Sequence, residues 1–536
     1  MKSNLAKAKI ENLIKLFGQF KDDSFDFELI ARFFKNKDHS TNFQVITDKT
    51  CNDLDFEDLF TYLDRTYSSV GQQYLYDKLR TIPQDSGRHK QQEALIKLIM
   101  EKPELRATII SNLHKLSNND AFYIQSLFQE EPVSAPKWYH IVPFLSAINI
   151  LIIIGIFINP IFLFPYIVLF IASLVIHYYN KRNVSIYLDL LPELIRMNRS
   201  AKELFKIDEL KKINQSLGKA LRYTDSIGFR LSFFNIGSRL ESDITALLWG
   251  LFEIIKIQLL LEPMLLFSLL KQLRKKKTEI EDIFSFVGQV DVLVSIAALR
   301  KELEKYCVPE ITENQHSLIA KNVYHPLVEN CVPNSIEIDK KSVLITGSNM
   351  SGKTTFIRTI AVNAITAMTL NTCFAEEFSL PRMKISSAIR ISDDLVNDKS
   401  YYFEEVLTIK DMMMESLDHV PNLFFLDEIF KGTNTVERIS AGKAVLSWLA
   451  KGNNIVFVST HDMELTDLLK EEYELYHFSE QVNHKNVAFD YKLKEGKNHN
   501  RNAIRILEIN GYPESVIHEA IDISKKFDNA RSVEII

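Results

Sequence analysis

At 536 residues, 46% of them hydrophobic, the chain is too long for one compact core and is expected to form several domains. Only 16 Gly and 15 Pro exclude a turn-rich all-β architecture, and a net charge of -5 excludes global attraction to nucleic acid. Four cysteines, Cys51, Cys307, Cys331 and Cys373, stand far apart without a CxxC pair, which argues against a zinc site and a disulfide framework and fits a reducing compartment.

From Met1 to about Lys37 the apolar residues recur at helical spacing, which predicts two amphipathic helices. Charges every few positions leave no h-region of a secretory signal there. Residues 55–82, then stretches around 91–101 and 105–116, read as further helices whose scattered acids form a solvated face. At Lys137 the composition changes. From Ile141 to Tyr179 there is no Asp, Glu, Lys or Arg, and a helical pass needs about 17–25 apolar residues. Two passes fit, Ile141–Ile158 and Ile161–Tyr178, turning at Asn159-Pro160. Trp138, Tyr139, Tyr178 and Tyr179 are placed as interfacial aromatics, while Lys137, Lys181 and Arg182 would keep both ends cytoplasmic. The alternative is a hairpin buried between soluble domains.

Helical pattern resumes from Val184 to about Lys277. Leu247 to Leu270 is apolar, but Glu253, Lys256 and Glu262 interrupt it, so a buried or interfacial helix is expected in preference to a third pass. The run Lys271 to Lys277, KQLRKKK, is read as a solvated helix end. After His325-Pro326, strands alternate with helices: strands at 342–346, 423–426 and 455–460, helices at 354–370 and 439–450. That alternation predicts a mainly parallel sheet covered by helices.

Gly347-Ser-Asn-Met-Ser-Gly-Lys-Thr-Thr355 follows a strand and opens a helix, the context a P-loop requires. Its glycines let successive amides turn inward, and the helix amino end adds positive potential for phosphate. Lys353 would reach the β- and γ-phosphates of ATP, and Thr354 would offer its hydroxyl to Mg²⁺. Four large apolar residues, Leu423 to Leu426, then lead into Asp427 and Glu428. An Asp at the carboxyl end of a central strand can hold Mg²⁺, and the adjacent Glu can orient and deprotonate water. His461, ending the strand IVFVST, is placed to meet the γ-phosphate or the attacking water.

These motifs, in this order, resemble those of the MutS family of mismatch-repair ATPases, which belongs to the ABC class. GSNMSGKTT is similar to that family's GPNMGGKST, LDEIFKGTNT to LDEIGRGTST, and STHDMEL to its THYHEL segment. ISDDLVNDKSYYFEEV, Ile391 to Val406, resembles the stretch holding its serine-containing signature, and VYHPLVE, VGQVDVLVSIA and LDRTYSSVGQQYLYDKLRTI also resemble family segments. The resemblance covers most of residues 43–136 and 280–515. It implies that Gly347, Ser348, Asn349, Met350, Ser351, Gly352, Lys353, Thr354 and Thr355 bind nucleotide, that Thr354 and Asp427 hold the metal, and that Glu428 and His461 are catalytic. Ser400 would approach the nucleotide of a partner subunit, so that two P-loops of a homodimer close over two ATP molecules.

The fold so implied is α plus α/β, in five segments: N-terminal amphipathic helices (1–42), a MutS core-like helical domain (43–136), a transmembrane helical hairpin (137–182), a lever-like helical region (183–315) and an ABC-type P-loop ATPase domain (316–536). Two departures from the family pattern matter. The family's mismatch-recognition domain carries a Phe-x-Glu wedge ahead of the helical core, and residues 1–42 contain none. The apolar hairpin also falls where lever helices and a DNA-gripping clamp belong. Two functions are therefore expected: a MutS-like ATPase binding DNA at a membrane through residues 141–179, or a membrane mechanochemical ATPase acting on a protein partner without DNA. An ABC transporter is a weaker third, since one hairpin is small for a permeation domain and no LSGGQ-type signature surrounds Ser400.

Overall fold

The computed structural model describes residues 11–534 except 22–23, 85–86, 88, 132–133, 227–249, 251–253, 314–315, 349, 391–400, 419, 483–486 and 498–502. It contains two compact units that interleave along the chain. One comprises Met1–Ser40, Leu63–Lys78 and Gly87–Glu302; the other comprises Thr41–Tyr62, Leu79–Ser86 and Leu303–Ile536. Residues expected to form a separate helical domain after residue 42 are thus divided between the two.

The first unit is helical. Its principal helices are α1 (Ser69–Arg80), α2 (Val142–Ile158), α3 (Leu163–Phe205), α4 (Leu261–Arg274) and α5 (Lys277–Glu302). The N-terminal part is more broken than its apolar spacing predicts: Phe27–Ile30 and Arg32–Lys35 are single turns, the first capped by the Asp26 side chain. Helix α5 forms the centre of this unit. Ile283, Phe284, Phe286, Val287, Val290 and Leu293 are all buried, and Phe284 packs at a tilt between Phe33 and Phe128, with ring centroids 4.8 and 5.3 Å away. One acid lies in that apolar face. Asp291 accepts hydrogen bonds from the Tyr67 amide (2.9 Å), the Ser68 amide (2.8 Å) and the Ser68 hydroxyl (2.5 Å), capping the start of α1 from outside its own helix. Burial nevertheless pushes the Asp291 carboxyl up to about 7, against the lowering effect of those donors.

Helices α2 and α3 form the apolar hairpin. Asn159 turns the chain, its side-chain oxygen accepting from the Ile161 amide at 3.0 Å. Both helices present one buried stripe and one open face. Phe144, Leu151, Phe157, Ile158 and Phe164 are exposed, Phe157 by 88%, whereas Ser146, Asn149, Ser173, His177 and Asn180 are buried. Within the stripe, the Asn149 amide donates to the Ser173 hydroxyl (3.1 Å) and the Gln258 carbonyl (2.7 Å), and accepts from the Gln258 amide (2.9 Å). His177 lies 3.3 Å from Glu262. The stripe continues beyond the apolar run through Tyr187, Leu191 and Leu194. This continuity carries α3 on to Phe205 as one helix of 43 residues, about 64 Å long at 1.5 Å per residue. The segment 247–270 lies partly outside the described residues. Its described end enters α4, where Leu266, Leu269, Leu270 and Leu273 are buried.

The second unit is α/β. Strands β1 (Gln44–Val45) and β2 (Thr81–Ile82) form a short antiparallel pair. A four-stranded sheet joins β3 (Glu310–Thr312), β4 (Ser317–Val323), β5 (Asn334–Asp339) and β7 (Glu377–Pro381) in the order β3-β7-β4-β5. The main sheet contains β6 (Ser342–Thr346), β8 (Lys384–Ala388), β9 (Asn422–Asp427), β10 (Asn454–Ser459) and β11 (Tyr473–His477), all mutually parallel in the order β11-β6-β10-β9-β8. A final short strand, Lys494–Glu495, adds antiparallel to β11. Successive residues of β9 point to opposite faces, and both faces are covered, which is why Leu423 to Leu426 are uniformly apolar. Helix α6 (Lys353–Leu370) lies against β9 and β10. Helices α7 (Tyr401–Glu415), α8 (Thr435–Leu449) and α9 (Met463–Leu469) pack Ile409, Met412, Leu446, Leu449 and Leu465 into a core with Phe424, Leu426, Val456 and Val458.

Candidate active site

The carboxyl ends of β6, β9 and β10 meet at one edge of the main sheet, where α/β folds bind ligands. The loop from Gly347 to Gly352 leaves β6 and enters α6 at Lys353. Gly347 has φ +147°, and a Cβ there would come within 2.7 Å of the Phe478 carbonyl and 2.9 Å of the Ser351 hydroxyl, so only glycine fits. Gly352, with φ +107°, makes the turn into the helix. Ser351 closes the loop by donating its hydroxyl to the Ser348 carbonyl at 2.8 Å, and the Ser348 hydroxyl donates to the buried Glu480 at 2.7 Å.

Lys353 is buried, and its ammonium donates to the Gly347 and Ser348 carbonyls, both at 2.9 Å. Burial lowers its pKa, while nearby Glu428 and Asp427 oppose that fall. Thr354, the next residue, donates its hydroxyl to Asp427 Oδ2 at 2.7 Å. The other Asp427 oxygen accepts from the Ser459 hydroxyl. A carboxylate and a hydroxyl so placed beside a phosphate-type loop suit a hard cation such as Mg²⁺, which takes its remaining oxygens from phosphate and water.

Glu428 follows in a left-handed conformation, φ 51°, with its amide bonded to the Ser459 carbonyl at 2.9 Å. Its Oε1 lies 2.8 Å from His461 Nε2, and its Oε2 pairs with Lys431. Burial alone would raise its pKa, but the hydrogen bonds from His461 and Lys431 outweigh that and hold it at about 2. Glu428 is thus ionised at neutral and mildly acidic pH. Phe430 is also left-handed, φ 60°, and its amide donates to buried Glu405 of α7 at 2.6 Å. Two non-glycine residues with positive φ within three positions mark this loop as conformationally strained.

A cleft of about 440 Å³ opens beside these groups. Ser348, Met350, Ser351, Gly352, Lys353, Thr354, Thr355 and Glu428 line one part of it, and Val328, Cys331, Val332, Phe478 and Tyr491 give it an apolar wall. Lys353, Thr354, Asp427, Glu428 and His461 are therefore assembled at one edge of the sheet. Asn349 and Ser400 lie outside the described residues. Sequence reasoning missed Ser459, which reaches Asp427 because β10 and β9 pair Ser459 with Asp427; that register has no local signal. It also missed Glu405, Glu480 and Lys431, of which Lys431 alone was within reach, three residues past Glu428 in the same motif.

A family model matches this same part of the chain, and known proteins are similar to about half of the chain. The family model for MutS domain V matches residues 343–528. The DNA mismatch repair protein MutS of Listeria monocytogenes is 32% identical over 279 residues, covering 49% of this chain and 32% of that protein. The MutS proteins of Petrotoga mobilis (30% over 280 residues, 50% of this chain and 34% of theirs) and Aquifex pyrophilus (28% over 279 residues, 49% and 32%) are similar to it as well. The chain spans about a third of the length of these curated relatives. The motifs, the fold and these matches agree: residues 343–528 match MutS domain V, an ATPase-type domain, and about half of the chain is similar to MutS proteins.

Proposed function

We propose that this protein is an ATP hydrolase of MutS type that works as a homodimer, is anchored in a membrane by residues 141–179, and couples ATP turnover to DNA binding. The assembly of Lys353, Thr354, Asp427, Glu428 and His461 at one sheet edge, beside a cleft lined by Lys353, Thr354 and Glu428, is the observation that carries the hydrolase reading. The loop amides and Lys353 bind the phosphates. Thr354 and Asp427 would hold Mg²⁺, which neutralises phosphate charge. Water attacks the γ-phosphorus, the bond to the ADP oxygen breaks, and Glu428 accepts the water's proton while His461 bonds the γ-phosphate. The contacts that keep Glu428 ionised also make it a weak base, so proton acceptance requires Lys431 or His461 to move off it. Asn349 and Ser400 complete the proposed nucleotide contacts, Ser400 across the dimer. Exposed Met350 and Val436, on the phosphate loop and beside GTNT, support a second copy docking there.

The membrane part is supported by the exposed apolar face of α2 and α3, since every polar side chain buried in the hairpin's stripe faces away from it. DNA binding rests on the similarity to DNA mismatch repair proteins alone. The alternative, a membrane mechanochemical ATPase acting on a protein partner, is favoured by α3, which joins the apolar hairpin to the helical core without a break.

One set of measurements on the intact chain tests this. Glu428→Gln should bind ATP as the parent does and turn it over at least about 100-fold more slowly; full turnover would remove Glu428 as the base. Homoduplex binding titrated with salt should show the steep slope of phosphate contacts, and no binding at low salt would transfer the function to a protein partner. The intact chain should need detergent for extraction; solubility without it would end the membrane reading.

A further inference from the structure

Strand β8 is an edge strand of the main sheet, and its outer edge is covered by side chains instead of another strand. The Gln44 amide donates to the Ile385 carbonyl and accepts from the Ile385 amide, both at 2.7 Å, imitating a ladder pair. Farther along, the Thr50 hydroxyl accepts from the Ser387 amide at 3.3 Å. Asp53, wholly buried, accepts from the Ser387 hydroxyl (2.6 Å), the Ile389 amide (3.0 Å) and the Arg390 amide (2.8 Å). A buried carboxylate is tolerated only when such donors are held in place, so residues 44–53 are firmly seated on β8.

Asp55 extends this grip to the nucleotide site. Its carboxylate accepts from Arg358 at 3.0 Å and pairs with Arg390. Arg358 is four residues past Thr354 on α6 and therefore lies on the same helix face, one turn behind the hydroxyl that meets Asp427. Arg390 is two residues beyond Ala388, which pairs with Leu426, so it stands at the sheet edge that carries Asp427 and Glu428. One carboxylate thus ties the helix behind the phosphate loop to the end of the edge strand. Helix Phe56–Leu63 starts directly after Asp55 and leads the chain out of the ATPase unit at Tyr62.

We propose that Gln44–Asp55 is the segment through which the nucleotide site acts on the rest of the chain, with Asp55 as a positioning residue that couples α6 to the end of β8; this rests on the ATP-hydrolase reading above. Nucleotide seated on the phosphate loop pulls on α6, Arg358 transmits that displacement to Asp55, and Asp55 passes it to Arg390 and into Phe56–Leu63. Asp55 does not line the cleft that would hold the nucleotide, so its loss should alter turnover more than affinity.

The test measures kcat, KM and direct ATP-analogue binding for the intact chain and for Asp55→Asn, Asp55→Glu and Arg390→Gln, alongside thermal melting. Asp55→Asn should lower kcat by about 3- to 30-fold while leaving the dissociation constant within about twofold, and Asp55→Glu should recover part of the loss. Arg390→Gln, altering a half-exposed side chain, should reproduce the kcat effect with unchanged melting, which keeps the outcome decisive if Asp55→Asn folds poorly. Unchanged kcat in Arg390→Gln, or an affinity loss equal to the kcat loss, would overturn the coupling. Absence of turnover in the parent protein would instead overturn the hydrolase reading.

Discussion

The segment Lys137–Ile158, which ends in α2, and helix α5 are both long and apolar enough to cross a membrane, yet the structure treats them oppositely. In its most apolar window, α5 is 83% buried, whereas the most apolar window of Lys137–Ile158 is 22% buried. Length and apolarity alone do not separate a core helix from one with an exposed apolar face. The difference lies in where the polar residues sit and what meets them. Helix α5 carries an acid at its centre, Asp291, matched by three donors from Tyr67 and Ser68, and it is flanked by charged turns. The hairpin confines its buried polar groups, neutral Asn149 and Ser173 among them, to one stripe and leaves the other face wholly apolar. A core helix is surrounded by protein, while the hairpin has protein on one side.

Substitutions can break or sharpen this contrast. The largest effect is expected at Phe284, fully buried between two aromatic rings: Phe284→Ala should cost about 3–5 kcal/mol in denaturant unfolding of the detergent-solubilised protein. A cost below about 1 kcal/mol would mean that α5 is not the core of its unit. An intermediate effect is expected at Asp291. Replacement by Leu orphans two amides and a hydroxyl at the start of α1 and should cost about 2–4 kcal/mol, with loss of amide exchange protection concentrated at Tyr67 and Ser68. The smallest effect on folding belongs to the hairpin. Phe157→Ser should change stability in detergent by less than about 0.5 kcal/mol, yet weaken partitioning into vesicles by about 1.5–3 kcal/mol. If it instead destabilised the fold as Phe284→Ala does, the exposed face of α2 would be covered by protein.

Much of the candidate site was legible in the sequence because its pattern is local. A glycine-bearing loop between a strand and a helix has few other uses, so Gly347 to Thr355 is recognisable from its spacing alone. Asp427 and Glu428 were marked by the apolar strand before them. The partners of those residues were not legible. Ser459 meets Asp427 through the register of two parallel strands, and Glu405 reaches the Phe430 amide from a helix that precedes β9 in the chain. The role of residues 44–55 was hidden entirely: they read as part of a helical domain, because hydrophobic periodicity says nothing about the Gln44 and Asp53 side chains bonding a strand whose residues lie 334 to 341 positions farther on.

The hairpin shows the same division. Its length, its freedom from charge and its turn at Asn159-Pro160 were written in the residues themselves, since each depends only on near neighbours in the chain. That α3 runs on unbroken to Phe205 was decided by a buried stripe at helical spacing that outlasts the apolar run. What the sequence by itself determined was therefore the phosphate loop, the paired acids, the alternation of strands and helices and the apolar hairpin, all features of local chemistry and period. The burial of α5, the meeting of Ser459 with Asp427 and the grip of Asp53 and Asp55 on β8 were decided by tertiary structure alone, because each joins residues whose proximity depends on packing and strand order, not on spacing along the chain.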